Sequence, residues 1–275
     1  MLLRDYLHES GITLFACLPA DLPPLIKPRL LAPIPEARSV LFAALPYRVV
    51  GEESAHLAAF ARARDYHAYA THLTKECRRI LALRHPHADV IGFADHSPYA
   101  EVRGASMAGL GVIGDHGLLI TEKYASYVFI FELVTTLSLE EMAEEGIPAG
   151  DGILRECGHC GACTRACPGG CTGSDRTRCL SAISQKKGEL SEEEAELLRR
   201  SPYIWGCDIC QDVCPHSAHA AETEIPYFRK ERILRLTEDA ISAMPEEEYT
   251  SYAFGWRKKE IMLRNLRLKE ERHDD

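Results

Sequence analysis

Two short stretches of the chain contain seven of its eleven cysteines. Residues 157–168 have the spacing C-x2-C-x2-C-x3-C-P, and residues 207–215 repeat it without the first cysteine. The full spacing is that of bacterial two-cluster ferredoxins, in which three cysteines bind one 4Fe–4S cluster and the fourth binds the other. The two stretches therefore predict two clusters and electron transfer between them.

The ferredoxin pattern interleaves the ligands of its clusters. The first cluster is expected to be held by Cys157, Cys160, Cys163 and Cys214. The second is expected to be held by Cys167, Cys207 and Cys210, which leaves one ligand open. Cys179 lies between the two runs and is the candidate for that ligand.

Zinc is the alternative occupant of these cysteines. Two C-x2-C pairs could bind zinc, but both C-x3-C-P units would then be unexplained. Cys171 could compete as a ligand of the second cluster, although we interpret it as a spare thiol. Cys17 and Cys77 lie in apolar patterns and are interpreted as core residues.

The composition describes a globular chain of 275 residues with 46% hydrophobic residues and a net charge of −9. No stretch has the length of a membrane span or of a signal peptide, so we expect a cytoplasmic protein with no membrane partner. Cysteines in that compartment usually bind metals rather than form disulfides. The negative charge is unfavourable for binding nucleic acid by bulk electrostatics.

The elements that position the cysteines divide into three segments. Residues 1–150 alternate strands with helices, which predicts an α/β domain for cofactor and substrate. Residues 151–220 form the cysteine module, in which Ser191 opens a helix through a capping box. Residues 221–275 are expected to form a helical tail.

Within the first segment, nearly continuous apolar runs predict strands at 12–17, 39–45, 90–94, 118–121 and 127–134. Residues 53–84 are expected to form one long helix, because apolar residues recur at spacings of three and four. Cys77 lies on that apolar stripe. Asp95 lies just past the end of one predicted strand.

The chain resembles the epoxyqueuosine reductase family, the iron–sulfur and cobalamin enzymes of queuosine biosynthesis, over residues 37–265. The matching pieces are A-R-S-V-L at 37–41, R-D-Y-H at 64–67, A-D-H-S-P at 94–98, A-G-L-G-V-I-G at 108–114, R-C-L-S at 178–181, G-C-D-I-C-Q-D-V-C-P at 206–215 and K-E-I-M-L-R-N at 259–265. The resemblance and the pattern together predict an α/β fold. It has a mixed-sheet, cobalamin-binding reductase core, a two-cluster ferredoxin-like module and a short helical tail.

The resemblance implies an enzyme that removes the epoxide oxygen of a modified base in the anticodon loop of transfer RNA. The clusters would pass electrons from an external low-potential donor to cobalamin. Asp95 matches the family's proton-donating aspartate, and a desolvated carboxyl group could hold a proton near neutral pH. The cofactor is expected to contact Arg64, Tyr66, His67, Gly109, Gly111 and Gly114.

The chain departs from the family between residues 111 and 115, where G-V-I-G-D replaces the usual G-W-x-G-K. This departure keeps two other functions open. One is a related corrinoid-dependent reductase of a small molecule, which would not bind transfer RNA. The other is a non-catalytic electron-transfer protein that serves a corrinoid partner and holds no cobalamin itself.

Overall fold

The computed structural model describes residues 1–171 and 175–270. The strands are β1 (Phe15–Pro19), β2 (Ser39–Pro46), β3 (Val90–Phe93), β4 (Val112–Ile113), β5 (Leu119–Ile120) and β6 (Val128–Thr135). The α-helices are α1 (Leu3–Glu9), α2 (Tyr66–Ala82), α3 (Glu101–Met107), α4 (Leu139–Glu144), α5 (Ala162–Ala166), α6 (Leu180–Ser184), α7 (Glu192–Arg200), α8 (Ile209–Asp212), α9 (Pro226–Arg229), α10 (Glu238–Ala243), α11 (Glu246–Thr250) and α12 (Lys259–Glu270). Short 3-10 helices are found at Pro28–Leu31, Ala59–Ala61 and Pro215–His219.

Four strands form one sheet in the order β1-β2-β6-β3, and each neighbouring pair is antiparallel. The α/β class is confirmed, but the pairing differs from the mixed sheet that we expected. The reason lies in β6, which is inserted between β2 and β3. Those two strands run in the same direction, as a strand–helix–strand unit predicts, yet each pairs with β6 rather than with the other.

The sheet is buried on both faces, as the apolar run of β2 predicts. Leu41, Ala43 and Leu45 of β2 contribute to the core on the α2 side of the sheet. Val40 and Phe42 contribute to the core on the α3 side. Cys17 and Cys77 both lie in the α2-side core with almost no exposed surface, which confirms their prediction as core residues.

The long helix predicted for residues 53–84 is shorter than expected, because α2 begins only at Tyr66. The Asp65 side chain caps it by accepting a hydrogen bond from the backbone N–H of His67. The residues before Asp65 pair with the cysteine module instead of continuing the helix. The Ala58 N–H donates to the Trp205 carbonyl at 2.8 Å, and the Ala59 N–H donates to the Asp208 carboxylate at 2.6 Å.

The short hairpin of β4 and β5 carries the start of the cysteine module. The backbone N–H of Ile113 donates to the Arg155 carbonyl, and the N–H of Cys157 donates to the Ile113 carbonyl. Gly111 leads into this hairpin at a point where a Cβ atom would clash with the Ile120 backbone. The first cysteine run is therefore anchored to the α/β core by backbone hydrogen bonds.

The last segment packs against both preceding segments. Ile225 and Phe228 belong to the same core as Leu3 of α1, and Met262 of α12 packs with Leu57 and Trp205. The capping box of Ser191 and Glu194 at α7 is confirmed. Residues 172–174 of the module and 271–275 of the tail lie outside the described residues. Among the described helices, none is long and apolar enough to cross a membrane.

Candidate active site

A cavity of about 720 Å³ lies between the α/β core and the cysteine module. Asp95, Tyr66 and His67 line it from the core, and the cysteines expected at the second cluster line it from the module. Much of the remaining wall is apolar or aromatic and includes Tyr47 and Phe129. A large, partly apolar cavity with a few convergent polar groups is typical of a cofactor or substrate site.

Asp95 lies two residues after β3, with a left-handed backbone conformation at φ 60°. Aspartate tolerates this conformation better than most residues do. Its side chain is 57% exposed, but the exposed surface faces the cavity, so protein surrounds the carboxyl group on several sides. Burial, with a smaller contribution from the charge of Asp65, raises the pKa of Asp95 to about 6.

The first residues of α2 hold the Asp95 carboxyl group. The Tyr66 hydroxyl donates a hydrogen bond to Asp95 Oδ2, and the Tyr66 ring stacks on Phe129 with 4.0 Å between ring centroids. His67 Nε2 lies 3.8 Å from the same oxygen. His67 Nδ1 lies 2.9 Å from the carboxylate of Asp65, which orients the imidazole ring.

Two further carboxyl groups lie near Asp95 and were not predicted from the sequence. Glu101 lines the cavity at the start of α3, and burial, followed by the charge of Asp95, raises its pKa to about 7. Glu132 of β6 is fully buried and accepts a hydrogen bond from the Ser97 hydroxyl. Burial raises the pKa of Glu132 to about 8. The signal for Glu132 was an acidic residue inside the apolar run 127–134.

The four cysteines expected at the first cluster line a second, smaller cavity of about 120 Å³. They are Cys157, Cys160, Cys163 and Cys214. Cys214 comes from the second cysteine run, so residues of both runs line this cavity. Cys160 is exposed, which places this cavity near the protein surface.

The four cysteines expected at the second cluster line the large cavity. They are Cys167, Cys179, Cys207 and Cys210. Burial raises the pKa of both Cys207 and Cys210 to about 12, so these thiols would lose their protons only on binding a metal. Cys171 also lines this cavity, and its backbone N–H donates to Cys167 Sγ at 3.4 Å.

The spacing of the sulfur atoms argues against zinc. A tetrahedral zinc ion with bonds of about 2.3 Å to sulfur brings its ligand sulfurs within about 4 Å of one another. Among residues 1–171 and 175–270, three ligand atoms lie within 4.8 Å of one another only at Asp115, Cys157 and His159. Among the described residues, neither cysteine set is therefore gathered as tightly as a single zinc ion would require.

The remaining residues predicted to contact the cofactor lie outside the lining of the large cavity. Arg64 forms an ion pair with Glu231 at 2.8 Å, and its guanidinium lies 4.2 Å from the Tyr252 ring centroid. Gly114 lines the smaller cavity. Gly109 and Gly111 precede the β4–β5 hairpin and line neither cavity.

Asp115, which stands where the family usually has lysine, contacts the first cysteine run. Its carboxylate lies 2.7 Å from Nδ1 of His159, a residue of the loop between Cys157 and Cys160. Asp115 therefore connects the hairpin to the loop of the first cysteine run by a hydrogen bond with His159.

Comparison with known proteins identifies the module and the relatives of the chain. Residues 156–217 match the family described as "4Fe-4S double cluster binding domain". The epoxyqueuosine reductase of Gloeobacter violaceus is 30% identical over 249 residues, which are 85% of this chain and 75% of that protein. The epoxyqueuosine reductase of Listeria monocytogenes is 29% identical over 262 residues, which are 87% of this chain and 65% of that protein.

Solved structures show the same fold. The epoxyqueuosine reductase of Streptococcus thermophilus superimposes with a TM-score of 0.77 at 22% identity, covering 99% of this chain and 81% of that one. An epoxyqueuosine reductase crystallised with an epoxyqueuosine-modified stem loop of tRNA-Tyr gives a TM-score of 0.77 at 21% identity, covering 97% and 79%.

An α/β core joined to a double-cluster module defines an iron–sulfur oxidoreductase, rather than an electron carrier without activity. The clusters would transfer electrons, and the core supplies a cavity in which they can be used. The chain belongs to the epoxyqueuosine reductase family.

Proposed function

We propose that this protein is a cobalamin-dependent reductase that removes the epoxide oxygen of epoxyqueuosine in transfer RNA, with Asp95 as the proton donor. The observation that carries this proposal is one shared cavity, lined by Asp95 and by the cysteines expected at the second cluster. Reduction of an epoxide to an alkene consumes both electrons and protons. The walls of this cavity would supply both.

The proposed transfer RNA substrate is supported by the relatives and by the cavity surface. One relative was crystallised with an epoxyqueuosine-modified tRNA stem loop. In this chain, Trp256 lines the cavity and is 59% exposed, and the Arg257 guanidinium lies 3.6 Å from its ring centroid. Exposed aromatic rings backed by arginine stack well on unpaired bases of RNA loops. A transfer RNA substrate would also place the protein in the cytoplasm.

The residues of the large cavity fit cobalamin. The cavity has a mostly apolar wall, and His116 Nε2 is buried beside it without a hydrogen-bond partner. His116 Nδ1 accepts from the Leu118 N–H at 3.2 Å, so Nε2 carries the proton and is left as a donor for a bound group. Bound cobalamin would supply the redox chemistry at the carbon–oxygen bond that amino-acid side chains lack.

Of the residues predicted to contact the cofactor, Tyr66 and His67 line the cavity and remain proposed contacts. Arg64 lies outside the lining, and we propose that it holds the start of α2 in place through Glu231 and Tyr252. The glycines are proposed to shape the β4–β5 hairpin, from which His116 reaches both cavities.

Asp95 would donate a proton to the epoxide oxygen as the carbon–oxygen bond breaks. A carboxyl group with a pKa of about 6 keeps a useful protonated fraction near neutral pH. Tyr66 orients the carboxyl group through its hydrogen bond. The related structure from Bacillus subtilis has a catalytic aspartate loop swung out of the active site, which supports an aspartate in this role here.

Electrons are proposed to enter at the first cluster, because its cavity includes the exposed Cys160. Cys163 lines both cavities and would join the first cluster to the second. The second cluster would lie beside the large cavity. An external low-potential reductant is required, since the clusters would only pass electrons on.

A corrinoid-dependent reductase of a small molecule is a second candidate. The net charge of −9 and the acidic residues Asp65, Asp95 and Glu101 at the cavity are unfavourable for an anionic RNA. Binding of transfer RNA that weakens steeply with salt would support the first function. Absence of such binding, with reduction of small epoxides or halides, would support the second.

The test is a turnover assay on anaerobically reconstituted protein. The sample should contain about eight iron atoms per chain and should change the absorbance spectrum of added cobalamin. With a strong reductant and transfer RNA that carries the epoxide, mass spectrometry of the nucleosides should show the loss of one oxygen atom. Unchanged epoxide, in a sample that holds the iron and cobalamin, would overturn the proposal.

A further inference from the structure

A second protonatable group lies beside Asp95 and has no part in the mechanism so far. Glu101 is the first residue of α3, and its side chain lines the same cavity as Asp95. Glu101 lies close enough to Asp95 for the charge of Asp95 to raise the pKa of its carboxyl group. Glu101 Oε2 is buried without a hydrogen-bond partner.

Charged and titratable groups from four elements surround Glu101. Asp95 faces it from the end of β3, Lys27 from the segment before the first 3-10 helix, and His67 from α2. The charge of Glu101 also acts on the carboxyl group of Glu132 of β6. Burial and the charge of Asp95 outweigh the opposing effects of Lys27 and His67, and the pKa of Glu101 is raised to about 7. Glu101 therefore holds a proton near neutral pH.

The chemistry of the proposed function requires two protons. Both carbon–oxygen bonds of the epoxide break, a carbon–carbon double bond forms, and the oxygen leaves as water. The balance is two electrons, from the external low-potential donor, and two protons. Asp95 carries one proton. With cofactor and RNA in the cavity, bulk water would have little access to Asp95, so the second proton has to come from the protein.

We propose that Glu101 supplies this second proton through Asp95, an inference that rests on the proposed function. Asp95 protonates the epoxide oxygen as the first carbon–oxygen bond breaks. Glu101 then returns a proton to the Asp95 carboxylate, and Asp95 passes it to the hydroxyl group, which leaves as water. Both carboxyl groups regain their protons from solvent once the product has left.

His67 is the rival source of the second proton. Its Nε2 lies 3.8 Å from Asp95 Oδ2, and its side chain is 49% exposed. His67 Nδ1 lies 2.9 Å from the Asp65 carboxylate, which orients the imidazole ring. Glu101 differs from His67 in its burial, since its Oε2 is buried without a hydrogen-bond partner.

The test compares Glu101→Gln with the matched control Glu144→Gln, an exposed glutamate on α4. Glutamine preserves the size of the side chain but cannot carry the proton. Turnover of the epoxide should fall about 100-fold in Glu101→Gln, with iron content and cobalamin binding unchanged. Glu101→Asp, which restores an acid, should recover part of the activity.

Two further readouts separate proton supply from a merely structural role. The infrared C=O band of protonated carboxyl groups should titrate near pH 7 in the wild type and lose that component in Glu101→Gln, in protein without substrate. The fall of log(kcat/KM) with rising pH should approach a slope of about −2 in the wild type and about −1 in the variant.

The possible results distinguish failure of the proposed function from failure of the role proposed for Glu101. A wild type that leaves the epoxide intact overturns the proposed function and this inference with it. An active wild type with a fully active Glu101→Gln overturns the inference alone. So does an unchanged carboxyl band, or a slope that changes in His67→Gln but not in Glu101→Gln.

Discussion

The Tyr66 hydroxyl donates a hydrogen bond to the Asp95 carboxyl group from a ring that stacks on Phe129 with 4.0 Å between centroids. The two residues come from different elements, since Tyr66 begins α2 and Asp95 follows β3. The position of the proposed acid is therefore fixed by a helix start and by the central strand β6. Asp95 is held in place by packing as well as by its own loop.

Replacement of Asp95 by asparagine is expected to abolish turnover while the cofactors remain bound. Asparagine preserves the size of the side chain but cannot donate a carboxylic proton. Loss of a general acid typically reduces the rate about 100-fold or more. The measurement is turnover of epoxide-bearing transfer RNA, alongside iron content and the cobalamin spectrum.

Asp89→Asn is the matched control, because Asp89 is an exposed aspartate just before β3. It should retain wild-type turnover. Wild-type activity in Asp95→Asn would remove Asp95 from the mechanism.

The pH dependence of kcat/KM follows from the raised pKa of Asp95, about 6. The protonated form is the active one, so activity is full below this pKa and is lost as the pH rises through it. With Glu101 also required in its protonated form, the decline extends to about pH 7. A rate that rises across pH 6 to 8 would contradict the assignment of Asp95 as an acid.

Tyr66→Phe tests the assignment of Asp95 as the acid by removing the hydrogen bond that Tyr66 donates to it. A hydrogen bond donated to a carboxylate favours the charged form, so its removal should raise the pKa of Asp95. The alkaline limb of the pH–rate profile should then move to higher pH, with turnover reduced by about tenfold. An unmoved limb would show that Tyr66 does not influence the group that titrates.

The cysteine assignments predict how iron content changes in variants. Cys179→Ala should lower the iron content from about eight to about four atoms per chain, since the second cluster loses a ligand. Cys171→Ala should keep about eight atoms, since we propose that Cys171 only donates a backbone hydrogen bond to Cys167 Sγ. The reverse result would exchange the roles of these two cysteines.

Glu132→Gln is expected to alter the pH dependence of stability. The pKa of Glu132 is raised by burial to about 8, so between pH 4.5 and 8 the folded protein binds a proton that the unfolded chain has lost. Wild-type stability therefore falls across that interval on account of this group. Glutamine removes this dependence.

Chemical denaturation of the cluster-free protein at several pH values measures the effect. The variant should gain stability relative to the wild type between pH 4.5 and 8, and the difference should level off above pH 8. A difference that does not change with pH would show that Glu132 has no raised pKa.

The cysteine ligand sets could be predicted from the sequence because the geometry of a 4Fe–4S cluster restricts the spacing of its ligands. The cysteines of the predicted sets, including Cys179, line two cavities, and their roles as ligands remain a prediction. The burial of β2 on both faces was also readable, since its apolar run is nearly continuous.

Other features depend on tertiary contacts that no local pattern encodes. Residues 53–65 have a helical pattern, but Ala58 and Ala59 form backbone hydrogen bonds with residues of the distant cysteine module instead. The insertion of β6 between β2 and β3 depends on which strands pair in the folded sheet, and the sequence of each strand alone does not specify this. Glu101 and Glu132 gain their raised pKa values from burial near Asp95 and near each other, which only the folded chain creates.

The interleaving of the cysteines has a consequence for how the protein holds together. Each proposed cluster would join cysteines from both runs, as Cys163 and Cys214 show at the first one. A bound cluster would therefore act as a cross-link that closes a long loop of chain and lowers the entropy of the unfolded state. The tail packs on this module through Trp205 and Met262. Oxidative loss of a cluster should thus weaken the packing of the tail as well as block electron transfer. Exposure to oxygen would then lower the stability of the fold in addition to the redox activity.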